Sequence, residues 1–416
     1  MRQLRYGVGL FFFLLLSVTQ MPAQSTSSTC SSGKASTLYC MPITSTENAF
    51  VFPSLPSQGL VPIEGFYPVT SAIGTQLSTF PTPSPSSSLI FSFGAGGLTA
   101  AQQLGPIYSD APWSIGRHKL YLAFAYQFLE FDKVDNVSLS SIPLVLNACI
   151  GSSAAGSVCT QPPLIQTMSH YTVNLNEYLS YASFGLTNRI DISVTIPMVN
   201  VRSTMTTTCS VCTSSFSDGI HALFFTPNTS HGASTGIGDV VFGVKGVVLE
   251  GERGALAAGV DVRAPTGYAY NYQGAGTTGV HPYLALGYRG RVAPHINVGG
   301  WINGDSVLAS TNGTTEQHLP DSLVYDAGAD ISALRWLSFT GDYVGQTYFD
   351  AGRLAINQSA TQLQTSNQTF NTNTIALGFK TMPAHGLLLT ANVLIKAGNG
   401  GLDYKPVPMI GISYTF

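Results

Sequence analysis

From Lys119 to the last residue the chain alternates with period two. Leu120, Leu122, Phe124, Tyr126 and Phe128 share one face of an extended strand. Ile190, Ile192, Val194 and Ile196 oppose Asp191, Ser193 and Thr195. Val240, Phe242 and Val244 oppose Asp239, Gly243 and Lys245, and Leu256, Val260 and Val262 oppose Asp261 and Arg263. The pattern continues with Leu284 and Leu286, Ile296 and Val298, Leu323 and Tyr325, Phe339 and Tyr343, Leu377 and Phe379, and Leu389 and Val393. Successive strand side chains point to opposite faces, so each stretch predicts a wall with one oily and one polar side. Such dyads over about ten residues are the signature of a transmembrane barrel.

A soluble sandwich also alternates, but the links separate the two readings. Tight turns at Gly185–Asn188, 250–254, 289–291, 333–335 and 382–386 take turns with longer links at 132–168, 205–235, 265–278, 305–320, 350–369 and near 398–404. Short and long links alternate when one barrel rim faces the periplasm and the other faces outside. The expectation is an all-β fold: a closed antiparallel transmembrane β-barrel of about 12 strands. Closure is forced, because hydrocarbon offers no water to an unpaired backbone amide.

The final strand supports this. Ile410, Ile412, Tyr414 and Phe416 share a face, and Ile412, Tyr414 and Phe416 have the form of a C-terminal assembly signal for the outer-membrane barrel assembly machinery. One strand departs from the pattern. In Tyr171, Val173, Leu175, Glu177, Leu179 and Tyr181, a carboxylate interrupts what reads as the lipid-facing side. The expected cause is a bulge or a position near the interface.

Only 9% of residues are charged, against about 25% in an average globular chain. A net charge of −3 provides no basic field, which argues against nucleic acid as a partner. Residues 1–23 read as a secretory signal: Arg2 and Arg5, an apolar run through Phe11-Phe12-Phe13-Leu14-Leu15-Leu16, and Ala23 before the expected cut. Residues 24–116 are rich in Ser, Thr and Pro, as in Pro81-Thr82-Pro83-Ser84-Pro85, and lack sustained alternation. They are expected to form a low-order N-terminal segment, either periplasmic or a plug. Residues 117–416 are expected to form the barrel. Six cysteines in an exported chain suggest disulfides. They fall into near pairs, Cys30 with Cys40, Cys149 with Cys159 and Cys209 with Cys212, although spacing alone leaves the connectivity open. Cys209 and Cys212 also have the spacing of a redox dithiol, but without its helical context a loop staple is the simpler reading.

Gly236-Ile237-Gly238-Asp239-Val240, Gly259-Val260-Asp261-Val262-Arg263-Ala264-Pro265-Thr266-Gly267, His281-Pro282-Tyr283-Leu284 and Asp321-Ser322-Leu323-Val324-Tyr325-Asp326-Ala327-Gly328 are short, glycine-rich motifs. Through them, residues 119–416 resemble the transporter-like outer-membrane family named for the MetA pathway of phenol degradation. The resemblance implies an outer-membrane barrel that passes small apolar or aromatic compounds. It carries no catalytic residues.

The inward faces would carry Asp239, Lys245, Asp261, Arg263, Asp326 and Asp330. These either line a polar conduit or pair with one another as filler in a narrow barrel. Asp239, Lys245, Asp261 and Arg263 are expected to form one lumen cluster. Tyr268, Tyr270 and Tyr272 alternate in an extracellular loop. They either bind an aromatic or sugar ligand or stand in the aromatic girdle, and the girdle is the working expectation. The rival classes are a barrel hydrolase, for which His231 and Ser234 with His221 nearby are the only candidates, and a barrel that merely anchors its N-terminal segment. No oriented triad, phosphate loop, zinc motif or dinucleotide fingerprint is legible. The expectation is therefore a passive channel in outer-membrane lipid for a small-molecule solute, with no catalytic residues, cofactor or metal.

Overall fold

The computed structural model describes residues 30, 36–48, 50–51, 66–78, 80, 91–94, 97–100, 108–146, 149–150, 158–159, 165–211, 224–225, 227–310, 315–357, 362–384 and 386–416. The expected signal at 1–23, together with Cys212 and His221, lies outside them.

Twelve strands form the wall: β1 (Leu120–Val134), β2 (Ile165–Gly185), β3 (Ile190–Val211), β4 (Val240–Glu250), β5 (Gly254–Ala264), β6 (Gly279–Tyr288), β7 (Val292–Asn303), β8 (Ser322–Leu334), β9 (Leu337–Asn357), β10 (Gln362–Ala384), β11 (Leu387–Lys396) and β12 (Val407–Thr415). Each pairs antiparallel with the next, and β12 returns to β1. At that seam Ile412 stands opposite Phe124 and Tyr414 opposite Leu122, and the Phe416 amide donates to the Leu120 carbonyl at 2.8 Å. The ring therefore has no open edge, as the hydrocarbon environment demands.

The wall is uneven in height. β4 to β8 have 10 to 13 residues, close to the roughly 9–11 that span a bilayer when tilted. β2, β3, β9 and β10 have 21 to 23. Their surplus projects beyond the membrane on the long-link side. This shortens two of the expected links. The link at 350–369 becomes a hairpin whose strands continue to Asn357 and from Gln362. Within 205–235, β3 runs on to Val211 and residues Asn228–Ile237 pair against it. Extended polar chain keeps pairing because its neighbour offers matching amides, whatever its composition.

Outside, Leu284, Leu286, Ile296, Val298, Phe339, Leu377, Phe379 and Ile410 are all exposed. A soluble protein does not tolerate an apolar belt of this extent. Lipid makes it the stable surface. A closed wall with this exterior is the architecture of the bacterial outer membrane, where this chain resides.

The interior has two zones. The extracellular half is an apolar core of Leu129, Phe131, Tyr171, Val173, Val201 and Met205 packed around the N-terminal segment. Two helices that the sequence did not announce lie there: α1 (Met41–Asn48) and α2 (Tyr67–Leu77). α2 has Pro at its first turn, where a missing N–H costs nothing. Leu38, Tyr39, Ile43, Phe66, Val69 and Ile73 are all almost fully buried. Cys30 and Cys40 are joined by a disulfide beside α1. Cys149 stands opposite Cys159 in a short hairpin. The periplasmic half of the lumen holds most of the charged side chains.

This division corrects the reading of Glu177. The odd-numbered face of β2, with Tyr171, Val173, Leu175, Glu177 and Leu179, points into the lumen, and Tyr178 and Ser180 point out. No bulge is needed. The apolar residues on this strand face the N-terminal segment, so Glu177 never meets lipid.

Candidate lumen site

Residues 108–116 run along the lumen and end at the periplasmic rim, where β1 begins. They make no ladder with the wall. Inward side chains hold them instead. Tyr108 Oη lies 3.3 Å from Met409 Sδ, and the Ser109 hydroxyl donates to Asp326. Lys245 Nζ donates to the Ala111 carbonyl at 2.7 Å. Asp191 accepts from the Ser114 hydroxyl at 2.6 Å and from the Ile115 amide at 3.1 Å. Trp113 lies beneath the Arg289 guanidinium, 4.4 Å from its carbon. A glycine on β6 makes room: a Cβ on Gly287 would stand 3.0 Å from the Pro112 ring. We call this segment the strap.

The four residues expected to cluster divide into three separate pairs. Lys245 is 3.8 Å from Asp191 on β3. Arg263 is 3.8 Å from Asp239, and it also donates to Asn303 Oδ1 at 2.7 Å and to the Ser78 carbonyl at 3.1 Å. Asp261 is 3.2 Å from His281 Nδ1. The split follows from register. Lys245 lies opposite Asp191 across β3 and β4, whereas Asp239 precedes β4 and reaches over to the link after β5. There it accepts from the Gly267 and Ala275 amides at 2.9 and 2.6 Å. Asp239 therefore organises a loop as well as pairing a charge.

Asp326 and Asp330 belong to a further buried group on β7 to β10. His295 Nε2 is 2.6 Å from Asp342, and its Nδ1 is 3.9 Å from Asp330. Lys380, also buried, is the neighbouring cation. Of these, His295, Asp342 and Lys380 show as inward positions on their strands, but only the fold brings them together.

The loop tyrosines are not a girdle. Tyr270 and Tyr272 are buried, and only Tyr268 is partly exposed. Tyr270 meets Tyr39 edge-on at 5.8 Å, and Tyr272 lies 6.3 Å from it. The loop folds inward because the N-terminal segment offers it an apolar surface. Strand alternation around the tyrosines carried no sign of this.

His231 and Ser234 stand an odd number of positions apart on one extended stretch, so they point to opposite faces. His231 is outward beside Thr204, and Ser234 accepts from the Asn271 and Gln273 amides, each at 2.9 Å. They cannot act as a nucleophile and its base.

Asp135 was missed by sequence reading. Its carboxylate accepts from the Gly401 and Leu354 amides, each at 2.9 Å, and pairs with Arg353 at 3.2 Å. It ties three extracellular segments together. Its backbone is left-handed (φ 49°), and the one clue in the sequence was the Asn136 that follows it, since Asp-Asn is turn chemistry.

Between α2 and the strap lies a chamber of about 240 Å³. Leu77, Ser78 and Phe80 border it on the α2 side, and Tyr108 and Asp110 border it on the strap side. Its wall is mixed. His281 stacks between Tyr283 (5.4 Å) and Trp301 (4.9 Å), and Arg263 lies 5.0 Å over Trp301.

Comparison with known proteins gives three solved structures of interest. An outer membrane channel from Pseudomonas putida F1 is similar over 73% of this chain and 97% of its own, at 12% identity and a TM-score of 0.45. The NanC porin is similar over 71% and 98%, at 10% identity and a TM-score of 0.38. The CymD monoaromatic hydrocarbon channel is similar over 72% and 88%, at 8% identity and a TM-score of 0.32. No family model matches the chain, so its resemblance to the MetA-pathway family rests on the short motifs alone. No curated protein matches it either.

Proposed function

We propose that this chain is an outer-membrane channel that passes small molecules by passive diffusion, with its N-terminal segment acting as a removable plug. The chamber in the lumen carries this reading. A barrel that served only as an anchor has no need of a hollow between two stretches of its own N-terminal chain. The substrate class we propose is small and apolar or aromatic, because Phe80, Tyr108, Tyr283 and Trp301 supply the chamber's rings. Polar groups between those rings would orient a passenger, as in other binding clefts. Residues 24–116 would then be the moving part and 117–416 the fixed wall. Lys245, Asp191 and Asp326 hold the strap, and they would set how readily it leaves.

Reconstitution tests this. Purified full-length protein in planar bilayers and in solute-loaded vesicles is expected to pass single-ring aromatic compounds. Lys245→Ala is expected to raise the open fraction by freeing the strap. Absence of conductance and of flux for every solute, in both proteins, would remove the channel reading. Hydrolysis of lipid or ester by the same preparation would replace it with an enzyme.

A further inference from the structure

The chamber between α2 and the strap has an unequal charge inventory. Its wall includes Asp110, Glu177, Asp239, Asp261 and Asp326 and a single guanidinium, Arg263. Arg263 is already committed to Asp239, Asn303 and the Ser78 carbonyl. Three of the remaining carboxylates have partners that need carry no charge. The Gln127 amide donates to Glu177 at 2.5 Å, the Ser109 hydroxyl donates to Asp326, and His281 Nδ1 lies 3.2 Å from Asp261. Carboxylates facing a confined space are stabilised by a cation.

A second feature is independent of the acids. His281 Nδ1 is committed to Asp261, which leaves Nε2 as the free ring nitrogen, an acceptor when the ring is neutral with its proton on Nδ1. That atom is buried and has no hydrogen-bond partner among the described residues. Gly299, also in the chamber wall, keeps the space beside it open: a Cβ there would press on Nε2 and on the Tyr283 side chain. The chamber thus offers the aromatic rings of Tyr283 and Trp301 in its wall, an imidazole nitrogen without a partner among the described residues and an excess of carboxylates. Each is suited to a different part of one ligand: ring stacking for an arene, a hydrogen bond for an N–H, and charge and π attraction for an ammonium.

We infer that the chamber is a binding site for a small aromatic ammonium, a single ring bearing a protonated amine. A volume of about 240 Å³ falls below that of drug-sized pockets, roughly 300–1,000 Å³, which suits one ring and a short arm. The assignment rests on the channel reading for its role in transport, but binding itself does not require flux.

Benzylammonium, benzyl alcohol and benzoate have nearly the same shape and differ in charge. Calorimetric titration of the full-length protein in detergent is expected to show benzylammonium binding at least about tenfold more tightly than the other two, a gap of about 1.4 kcal/mol. Asp261→Asn and Asp326→Asn should each weaken benzylammonium severalfold and leave benzyl alcohol unaltered, in protein that still shows the heat-modifiable gel shift of a folded barrel. His281→Phe, which keeps a ring but removes both imidazole nitrogens, should weaken the two ligands that bear a donor, benzylammonium and benzyl alcohol. Equal or tighter binding of benzoate or benzyl alcohol overturns the assignment, as does failure of all three to bind. Binding of benzylammonium without conductance or flux of any tested solute supports the chamber assignment and removes the channel reading.

Discussion

Lys245 Nζ lies 2.7 Å from the carbonyl oxygen of Ala111, a residue 134 positions earlier in the chain. The contact joins the barrel wall to the strap, and the same ammonium is 3.8 Å from Asp191, which holds Ser114 and Ile115. Side-chain exposures of 5% and 6% make this a buried pair. Removing one partner of such a pair costs about 3–5 kcal/mol, because the other is left charged and unmatched. Lys245→Ala should therefore lower the thermal midpoint of the heat-modifiable form. Adding Asp191→Asn should recover part of the loss. A double variant less stable than the single one would show that the pair is not the unit that matters.

The strap also depends on an absent side chain. Pro112 and Trp113 lie against Gly287, where a Cβ would stand 3.0 Å and 3.2 Å from their rings. Gly287→Val should overpack this contact by about 1–3 kcal/mol. Its effect should be local: faster amide exchange at 113–116, with the ladder of β5 and β6 unchanged. Uniform loss of protection through both strands would contradict a separable strap.

The Cys30–Cys40 disulfide closes a loop with a sequence separation of 10. Loops of this size contribute about 2–3 kcal/mol by restricting the unfolded chain. Reduction should loosen the neighbourhood of α1 while the barrel remains folded. Mass-spectrometric exchange before and after reduction should show the gain confined to peptides covering 36–48 and their contacts near Tyr270.

The outer wall makes a depth-dependent prediction. Leu284 lies midway along β6 and is 54% exposed, and Leu334 ends β8 at the rim with 50%. The two are alike in exposure and differ only in height. Arg at the bilayer midplane costs about 2–4 kcal/mol, and near an interface about 0–1. Leu284→Arg should destabilise folding into vesicles by the larger amount and Leu334→Arg by the smaller, as read from denaturant titration. Equal costs would mean that the belt does not sit in hydrocarbon where its height implies.

Much of the wall was legible because its pattern is local. On β4 to β8, a residue's neighbours two places away state which face it shares, and the outward residues Phe242, Val260, Leu284, Ile296 and Leu323 are those the alternation singles out. The candidate site was legible only as a set of inward positions. Lys245, Asp261 and Asp326 lie on the inward faces, and their partners Asp191, His281 and Ser109 come from other strands or from the strap. Glu177 shows the limit most clearly. Period two says that the two faces of β2 differ, and it does not say which one meets lipid.

The alternation along each strand, the order of short and long links and the terminal aromatic strand were enough by themselves to require a closed wall of about twelve strands, because amides in hydrocarbon must pair and only a ring leaves none over; the exact count came from the strand pairing. The contents of that ring were decided by tertiary structure. An apolar residue such as Val173 or Tyr270 gains as much from a buried partner as from lipid, and sequence does not state which will cover it. Only when the N-terminal chain occupies the lumen do those residues turn inward, the charges below it separate into pairs, and a chamber remain between α2 and the strap.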